Sequence, residues 1–242
     1  MKIKNAIDKF RASHGYSRTE PLAALFDMDG TLYDSMPGHA QAWMKMCREV
    51  GLKATPEEFF LAEGRTGAAT IDLLFRRNYG HGATQADVER LYAMKSENFK
   101  AMPPVSLMPG APEAVRACVE AGMSTVLVTG SGQTSLISRL AEDYPDAFEM
   151  KISSRDVTKG KPDPEPYLRA MQLAGVEPRQ AIVVENAPLG VQAGHAAGVF
   201  TIGVVTGPIP ADSLSDAGAD IVFESMEECG ACMPRLIKLF GE

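Results

Sequence analysis

The stretch AALFDMDGTLYDS, Ala23 to Ser35, runs four apolar residues straight into two carboxylates one residue apart, then a glycine and a threonine. Leu22 to Phe26 reads as a buried strand, and Asp27 and Asp29 stand where it ends. Two unpaired carboxylates in such a place repel each other and are costly to desolvate. A chemical role is the reason for a chain to keep them there.

Outward from this strand, short apolar runs alternate with helical periods. Met123–Val128, Ala181–Val184, Val199–Val205 and Ile221–Phe223 read as further strands. Pro112–Glu120, Gln133–Ala141, Pro166–Ala174 and Leu189–Ala197 read as helices between them. That rhythm predicts an α/β fold, a Rossmann-like parallel sheet with helices on both faces. One span breaks it. From Pro37 to Pro103 no strand is legible, while Ala40, Trp43, Met44, Cys47 and Val50, and then Val88, Leu91, Tyr92 and Phe99, recur at helical spacing. A small all-helical domain inserted after the first strand is the expectation, with Pro103 and Pro104 suited to a hinge. The predicted division is residues 1–35 and 104–242 for the core and 36–103 for the helical insert. Ile3, Ile7 and Phe10 mark residues 1–20 as an N-terminal helical extension.

A length of 242 residues allows one large core or two unequal ones. The formal charge of -7 argues against a nucleic-acid backbone or an anionic membrane as partner. No run approaches the roughly 18 apolar residues of a spanning helix, and the N-terminus has no signal-type apolar block. A cytoplasmic monomer is expected. The four cysteines include a lone CGAC at Cys229 to Cys232, which lacks the further ligands of a zinc site and reads as plain thiols.

In open α/β sheets the ligand sits beyond the carboxyl ends of the strands. Asp27 and Asp29, then Thr129, then Glu185 and Asn186 all fall at such ends, so three strands deliver polar residues to one edge. Paired carboxylates divide labour as nucleophile and proton carrier. A carboxylate attacking an anionic phosphate needs a hard dication such as Mg2+, which prefers about six oxygen ligands. Asp27, the Asp29 carbonyl, Glu185 and the Asn186 amide oxygen are all oxygen donors, with no histidine or cysteine to suggest zinc. Donors for phosphoryl oxygens are the Thr129 hydroxyl and the N–H groups of Gly130 and Ser131. Lys161, held in a loop by Pro162 and Pro164, supplies a fixed positive charge.

With DMDGTLYDS, VTGS, KGKPDPEPY and VVENAPLGVQAG in this order and spacing, the chain from Leu22 onward resembles the haloacid dehalogenase superfamily of phosphatases and phosphotransferases. The resemblance implies that Asp27 becomes a transient phosphoaspartate. It implies that Asp29 protonates the leaving group and later activates water, and that Thr129 and Lys161 bind the phosphoryl group. The insert resembles the four-helix cap of the β-phosphoglucomutase-like subclass, and His39 and Lys95 fall where that subclass places a cap histidine and lysine. Two positions depart from the pattern. Asn186 stands where the family usually has aspartate, and Gly67 stands where the mutases have an arginine, although Arg65 is close by. EGRTGA together with ENAPLG instead resembles a branch that hydrolyses inorganic pyrophosphate. Glu63, on the turn before Gly64, reads equally as a solvated residue and as a group that holds the metal through water and excludes a bulky sugar. A phosphohydrolase for pyrophosphate or a small phosphate ester is therefore expected. A hexose-phosphate mutase and a non-catalytic phosphate-binding regulator are the alternatives.

Overall fold

The structure is a computed structural model that describes residues 2–132 and 134–242. Six strands form one parallel sheet: β1 (Ala23–Phe26), β2 (Ser124–Val128), β3 (Met150–Ile152), β4 (Ala181–Glu185), β5 (Phe200–Val204) and β6 (Ile221–Phe223), in the order β3-β2-β1-β4-β5-β6. After β1 the chain steps outward to β2 and β3, then returns to the other side of β1 at β4. The strand order reverses between β1 and β4, and such a switch point opens a crevice at the carboxyl ends of the strands. Phe26 pairs with Val184, so Asp27 and Glu185 leave the sheet side by side.

The strands are apolar throughout because both faces are covered. Ala24, Phe26, Leu127, Ile182 and Val184 face one cluster, and Ala23, Leu25, Val126, Val128, Ala181 and Val183 face the other. The first cluster is closed by α1 (Lys2–His14), α6 (Ala111–Glu120), α7 (Thr134–Asp143) and α11 (Met226–Gly241), the second by α8 (Glu165–Ala174) and α9 (Pro188–Ala196). The expected N-terminal helix is present, with Ile3, Ile7 and Phe10 buried.

Between β1 and α6 the chain forms α2 (Met36–Val50), α3 (Pro56–Leu61), α4 (Gly67–Tyr79) and α5 (Gln85–Lys100). They surround a separate core that includes Trp43, Met46, Phe59, Ile71, Leu74 and Leu91. This is the helical cap. Thr55–Glu58 and Thr84–Asp87 capping boxes start α3 and α5, and left-handed Gly51 and Gly80 end α2 and α4. At the root of the cap the two connections are tied together. The Asp34 N–H donates to the Ser106 carbonyl at 3.0 Å and the Met108 N–H to the Leu32 carbonyl at 2.9 Å.

Several elements lie beyond what the pattern predicts. β3 is three residues, MKI, with a lysine at its centre, too short and too polar for periodicity to register. α10 (Ala211–Asp216) is short, and α11 is a full helix despite Pro234 inside it. The helix expected from Gln133 starts at Thr134, and Gln133 itself lies outside the described residues. No helix among the described residues is long and apolar enough to cross a membrane. Cys47, Cys118 and Cys229 are buried and unbridged, as is the half-buried Cys232.

α6 and α11 approach at a pair of glycines. Gly110 has φ 88°, and a Cβ there would stand 2.4 Å from the Glu227 Cα. Gly110→Ala is expected to lower unfolding free energy by about 2 kcal/mol or more, from left-handed strain plus overpacking. Chemical denaturation measures this.

Candidate active site

Beyond β1 the chain turns back on itself, with the Leu32 and Tyr33 N–H groups both donating to the Met28 carbonyl. Gly30 occupies this turn at φ 84°, and a Cβ there would lie 2.0 Å from Asn186 Nδ2 and 2.9 Å from a Glu63 oxygen. The glycine between the carboxylates and Thr31 is thus required twice, by backbone conformation and by the side chains that press on it.

Asp27 is buried, and its Oδ1 accepts from Lys161 Nζ at 2.5 Å. The same ammonium donates to Glu185 Oε1 at 2.6 Å and to the Val128 carbonyl at 3.0 Å. Tyr167 donates to Glu185 Oε1 at 2.8 Å, and the backbone N–H groups of Asn186 and Ala187 donate to Oε2. A Cβ at Gly190 would collide with this carboxylate, so the start of α9 must be bare there. Asp27 Oδ2, in contrast, is buried and has no hydrogen-bond partner among the described residues. Burial pushes the Asp27 carboxyl well above its usual range, the Glu185 charge adds to the rise, and Lys161 opposes it. For Lys161, burial disfavours the charge, but Asp27 and Glu185 outweigh it and raise its pKa.

Asp29 points to the cap side. Its Oδ1 accepts from Ser35 Oγ at 2.6 Å and contacts His39 Nε2 at 2.9 Å. His39 Nδ1 lies 2.6 Å from Lys95 Nζ, and the imidazole stacks on Phe99 at 4.0 Å. Neutral His39 with its proton on Nε2 satisfies both neighbours, giving an unbroken line from Lys95 through His39 to Asp29. Burial lowers the His39 pKa, and Lys95 lowers it further against the pull of Asp29. Burial alone would raise the Asp29 carboxyl, but His39, Ser35 and Lys95 together hold it below its usual value. Burial brings Lys95 down to about 8, only partly resisted by Asp29.

Glu63 is buried rather than solvated, because α3 ends in a loop that drops onto the sheet edge. Its Oε1 accepts from Asn186 Nδ2 at 3.0 Å, while Asn186 Oδ1 accepts from Thr31 at 3.2 Å. Burial raises the Glu63 carboxyl well above its usual range, and the Asp27 charge adds to this. Next in the loop, the Gly64 carbonyl presses on Gly130 so closely that a Cβ at Gly130 would be 2.4 Å away. From α5, Tyr92 accepts the Gly132 N–H at 3.1 Å. Thr129, Gly130 and Ser131 line the cavity so enclosed, although here the Ser131 N–H donates to the Thr129 hydroxyl at 3.0 Å. The cavity measures about 60 Å³ and is also lined by Asp27, Asp29, His39, Glu63, Tyr92 and Lys95.

The donor set suits a hard dication: carboxylate and amide oxygens, an excess of acidic groups, and a buried Asp27 oxygen without a partner. The Asn186 amide and Glu63, beside the Asp27 carboxylate, would be the groups to hold it. Glu185, expected as a direct ligand, has both oxygens occupied by protein donors in this arrangement. Among the described residues no three His, Cys, Asp or Glu side chains form a ready-made metal cluster, because Lys161 separates Asp27 from Glu185 and Asp29 is turned to His39. Sequence reasoning assigned no role to Ser35, Tyr167, Thr31 or Tyr92. The first three lie inside the quoted motifs, but only the fold shows which carboxylate or amide each one holds.

Comparison with known proteins agrees with this geometry. The family model for haloacid dehalogenase-like hydrolases matches residues 22–198. Hexitol phosphatase A of Escherichia coli is 32% identical over 212 residues, covering 84% of this chain and 91% of that protein. 2-Deoxyglucose-6-phosphate phosphatase 1 of Saccharomyces cerevisiae is 32% identical over 230 residues, covering 82% and 85%. Among solved structures, a Bacteroides vulgatus protein provisionally described as a beta-phosphoglucomutase superposes with a TM-score of 0.96 at 42% identity, over 100% of this chain and 99% of that one.

The position of Lys95 has a measurable consequence. Its folded pKa of about 8 lies below the ordinary 10.5, so between those values the unfolded chain holds the extra proton and stability gains with rising pH. Lys95→Met removes that gain. The variant is expected to melt higher than the wild type at pH 7, with the gap closing as pH rises through this window. Melting curves across the alkaline range measure the difference.

Proposed function

The chain belongs to the haloacid dehalogenase-like hydrolase family, and on that premise we propose that it is a Mg2+-dependent phosphohydrolase acting through a phosphoaspartate on Asp27, with inorganic pyrophosphate or a small phosphate ester as substrate. The observation that carries this reading is the pair of Asp27 oxygens. Oδ1 is fixed by Lys161, and Oδ2 is buried, unpartnered and part of a residue lining the cavity.

A lone pair on Asp27 Oδ2 attacks phosphorus, and the bond from phosphorus to the leaving oxygen breaks. Lys161 fixes the attacking group, and the Thr129 hydroxyl with the Gly130 N–H faces the phosphoryl oxygens. Asp29 hands the leaving oxygen a proton, and Ser35 and His39, with Lys95 behind it, hold the carboxylate so formed. In the second half Asp29 accepts a proton from water as that water attacks phosphorus, releasing Asp27 and phosphate. Mg2+, when bound, supplies positive charge that offsets repulsion between the carboxylate and the phosphoryl group.

The small cavity supports a small substrate. Its roughly 60 Å³ lies well under the ~300–1,000 Å³ of ordinary ligand pockets. The Tyr92 ring lies 2.2 Å from where a side chain at Gly67 would begin, filling that space from α5. A second reading is favoured by the Bacteroides vulgatus likeness and the His39–Lys95 pair, namely a hexose-phosphate mutase. Hydrolysis of sugar phosphates follows the two phosphatase relatives. Both would require the cap to lift before a hexose could enter.

Steady-state kinetics on pyrophosphate, hexitol and hexose phosphates, with and without Mg2+, test the reading. Pyrophosphate or another small phosphate is expected to turn over only with Mg2+. Interconversion of hexose phosphates without hydrolysis would establish the mutase instead. Asp27→Asn is expected to abolish turnover, and Asp29→Asn to slow it by about 10²–10⁴-fold. Glu63→Ala is expected to depress pyrophosphate hydrolysis more than monoester hydrolysis, and Asn186→Asp to tighten Mg2+ binding in calorimetry. An unchanged substrate ratio in Glu63→Ala would remove pyrophosphate as the preferred substrate.

A further inference from the structure

Every donor of Lys161 is taken. An ammonium carries three N–H groups, and here they go to Asp27 Oδ1 at 2.5 Å, Glu185 Oε1 at 2.6 Å and the Val128 carbonyl at 3.0 Å. The role expected of Lys161 at a phosphoryl group therefore requires that one of these bonds be given up. The three partners differ in how they hold it. The Val128 carbonyl is neutral backbone. Asp27 loses its charge in the reaction itself, because Oδ1 becomes the carbonyl of an acyl phosphate once Oδ2 has bonded to phosphorus. Glu185 stays fully buried at the end of β4 and takes no part in that bond. With the lysine as its one strong partner, it would draw the ammonium to itself just as the phosphoryl oxygens come to need it.

Tyr167 opposes this. It stands in the first turn of α8, fully buried in the apolar layer on that face of the sheet. Its hydroxyl donates at 2.8 Å to Glu185 Oε1, the same oxygen that takes Lys161. The other Glu185 oxygen accepts from the Asn186 and Ala187 N–H groups at 3.1 and 3.2 Å. Without the lysine, Glu185 still has three donors, as many as keep a buried carboxylate ionised. Burial, and then the Glu185 and Asp27 charges, raise the phenol well above its usual pKa, so it remains a proton-bearing donor. The centre of its ring lies 5.2 Å from Lys161 Nζ, near enough to attract the ammonium whichever oxygen that group faces. Phenylalanine would fill the same apolar space. A buried hydroxyl is costly unless it is bonded, and this one is bonded to the carboxylate that competes for the lysine.

We propose that Tyr167 is a positioning residue for phosphoryl transfer: by sharing Glu185 Oε1, it lets Lys161 leave that carboxylate and turn an N–H to a phosphoryl oxygen as Asp27 attacks. The proposal rests on the phosphohydrolase reading above and adds to it a residue that never touches substrate. In the step concerned, Asp27 Oδ2 forms a bond to phosphorus. The bond from phosphorus to the leaving oxygen breaks, and that oxygen takes the proton of Asp29. Tyr167 keeps its own proton throughout. Negative charge leaves Asp27, and Lys161 follows it because Glu185 no longer depends on the lysine.

Tyr167→Phe removes one oxygen atom and leaves Glu185 Oε1 with Lys161 as its donor. Giving up that bond then strands a buried, charged acceptor. Single-turnover cleavage of p-nitrophenyl phosphate with Mg2+, followed by quench-flow, is expected to slow about tenfold, with KM within about twofold of wild type. A packing role would lower the melting temperature without this split. 3-Fluorotyrosine in place of Tyr167 is a stronger donor of nearly the same size, and it is expected to cleave faster than wild type. A rate that rises from phenylalanine to tyrosine to fluorotyrosine follows donor strength, which packing does not produce. Wild-type cleavage in Tyr167→Phe, a rise in KM with cleavage unchanged, or a fluorotyrosine protein no faster than wild type overturns the proposal while the phosphohydrolase reading stands. If Tyr167→Phe fails to fold, the fluorotyrosine comparison decides by the same criterion. A wild-type protein that turns over neither p-nitrophenyl phosphate nor pyrophosphate with Mg2+ overturns both.

Discussion

One ammonium group fixes the arrangement of the sheet edge. Lys161 Nζ lies between Asp27 at the end of β1 and Glu185 at the end of β4, and takes the Val128 carbonyl at the end of β2 as its third partner. Three strand ends are thereby tied to a single point. Ion pairs this deeply buried add little net stability, but losing one member leaves an uncompensated charge at a cost of about 3–5 kcal/mol. Two anions share one cation here, so the balance is incomplete by design of the site rather than of the fold. The Asp27 oxygen that has no partner among the described residues is the visible remainder of that imbalance, and it is the atom proposed to attack phosphorus.

The strand order explains why these groups meet. β1 is flanked by β2 and β4, and the reversal of strand order between β1 and β4 leaves a crevice where Asp27, Glu185 and Asn186 emerge together. The cap closes that crevice through backbone-tight contacts that only glycines permit. Gly30 admits Asn186 and Glu63, Gly130 admits the Gly64 carbonyl, and Gly67 admits the Tyr92 ring. Asn186 has a specific part in this closure. Its amide donates to Glu63 from one end and accepts from Thr31 at the other, which an aspartate at that position does not do when ionised. Catalytic edge and lid are joined by one side chain that is polar but uncharged.

The cap serves the two ends of the reaction differently. Through α2 and α5 it brings His39 and Lys95 against Asp29, the proposed proton carrier. Through the α3–α4 loop it brings Glu63 and Arg65 to the cavity that Asp27 lines. The tied connections at Asp34–Ser106 and Leu32–Met108 give this lid a firm root beside the core. Motion of such a lid is then a rotation of a packed unit about that root, since its core of Trp43, Phe59, Ile71 and Leu91 is separate from those of the sheet.

The sequence by itself determined the parallel α/β core, the helical insert after the first strand and the principal acidic and basic residues of the edge. It did so because strand and helix periods are local, and because DMDGTLYDS, KGKPDPEPY and VVENAPLG place Asp27, Asp29, Lys161, Glu185 and Asn186 at strand ends or in a loop braced by prolines. β3 escaped because three residues carry no period, and α11 because Pro234 interrupts a helix that packing against α6 stabilises. What only the tertiary structure decided is who pairs with whom. Glu63 read equally as a solvated turn residue and as a site residue, and it is buried against Asn186. Glu185 looked like a free metal ligand and is held by Lys161, Tyr167 and two backbone N–H groups. Arg65, legible only as a neighbour of Gly67, lines two cavities and pairs with none of the described residues. Pairing, burial and desolvation depend on residues far apart in the chain, and a spacing rule reaches no farther than the element it describes.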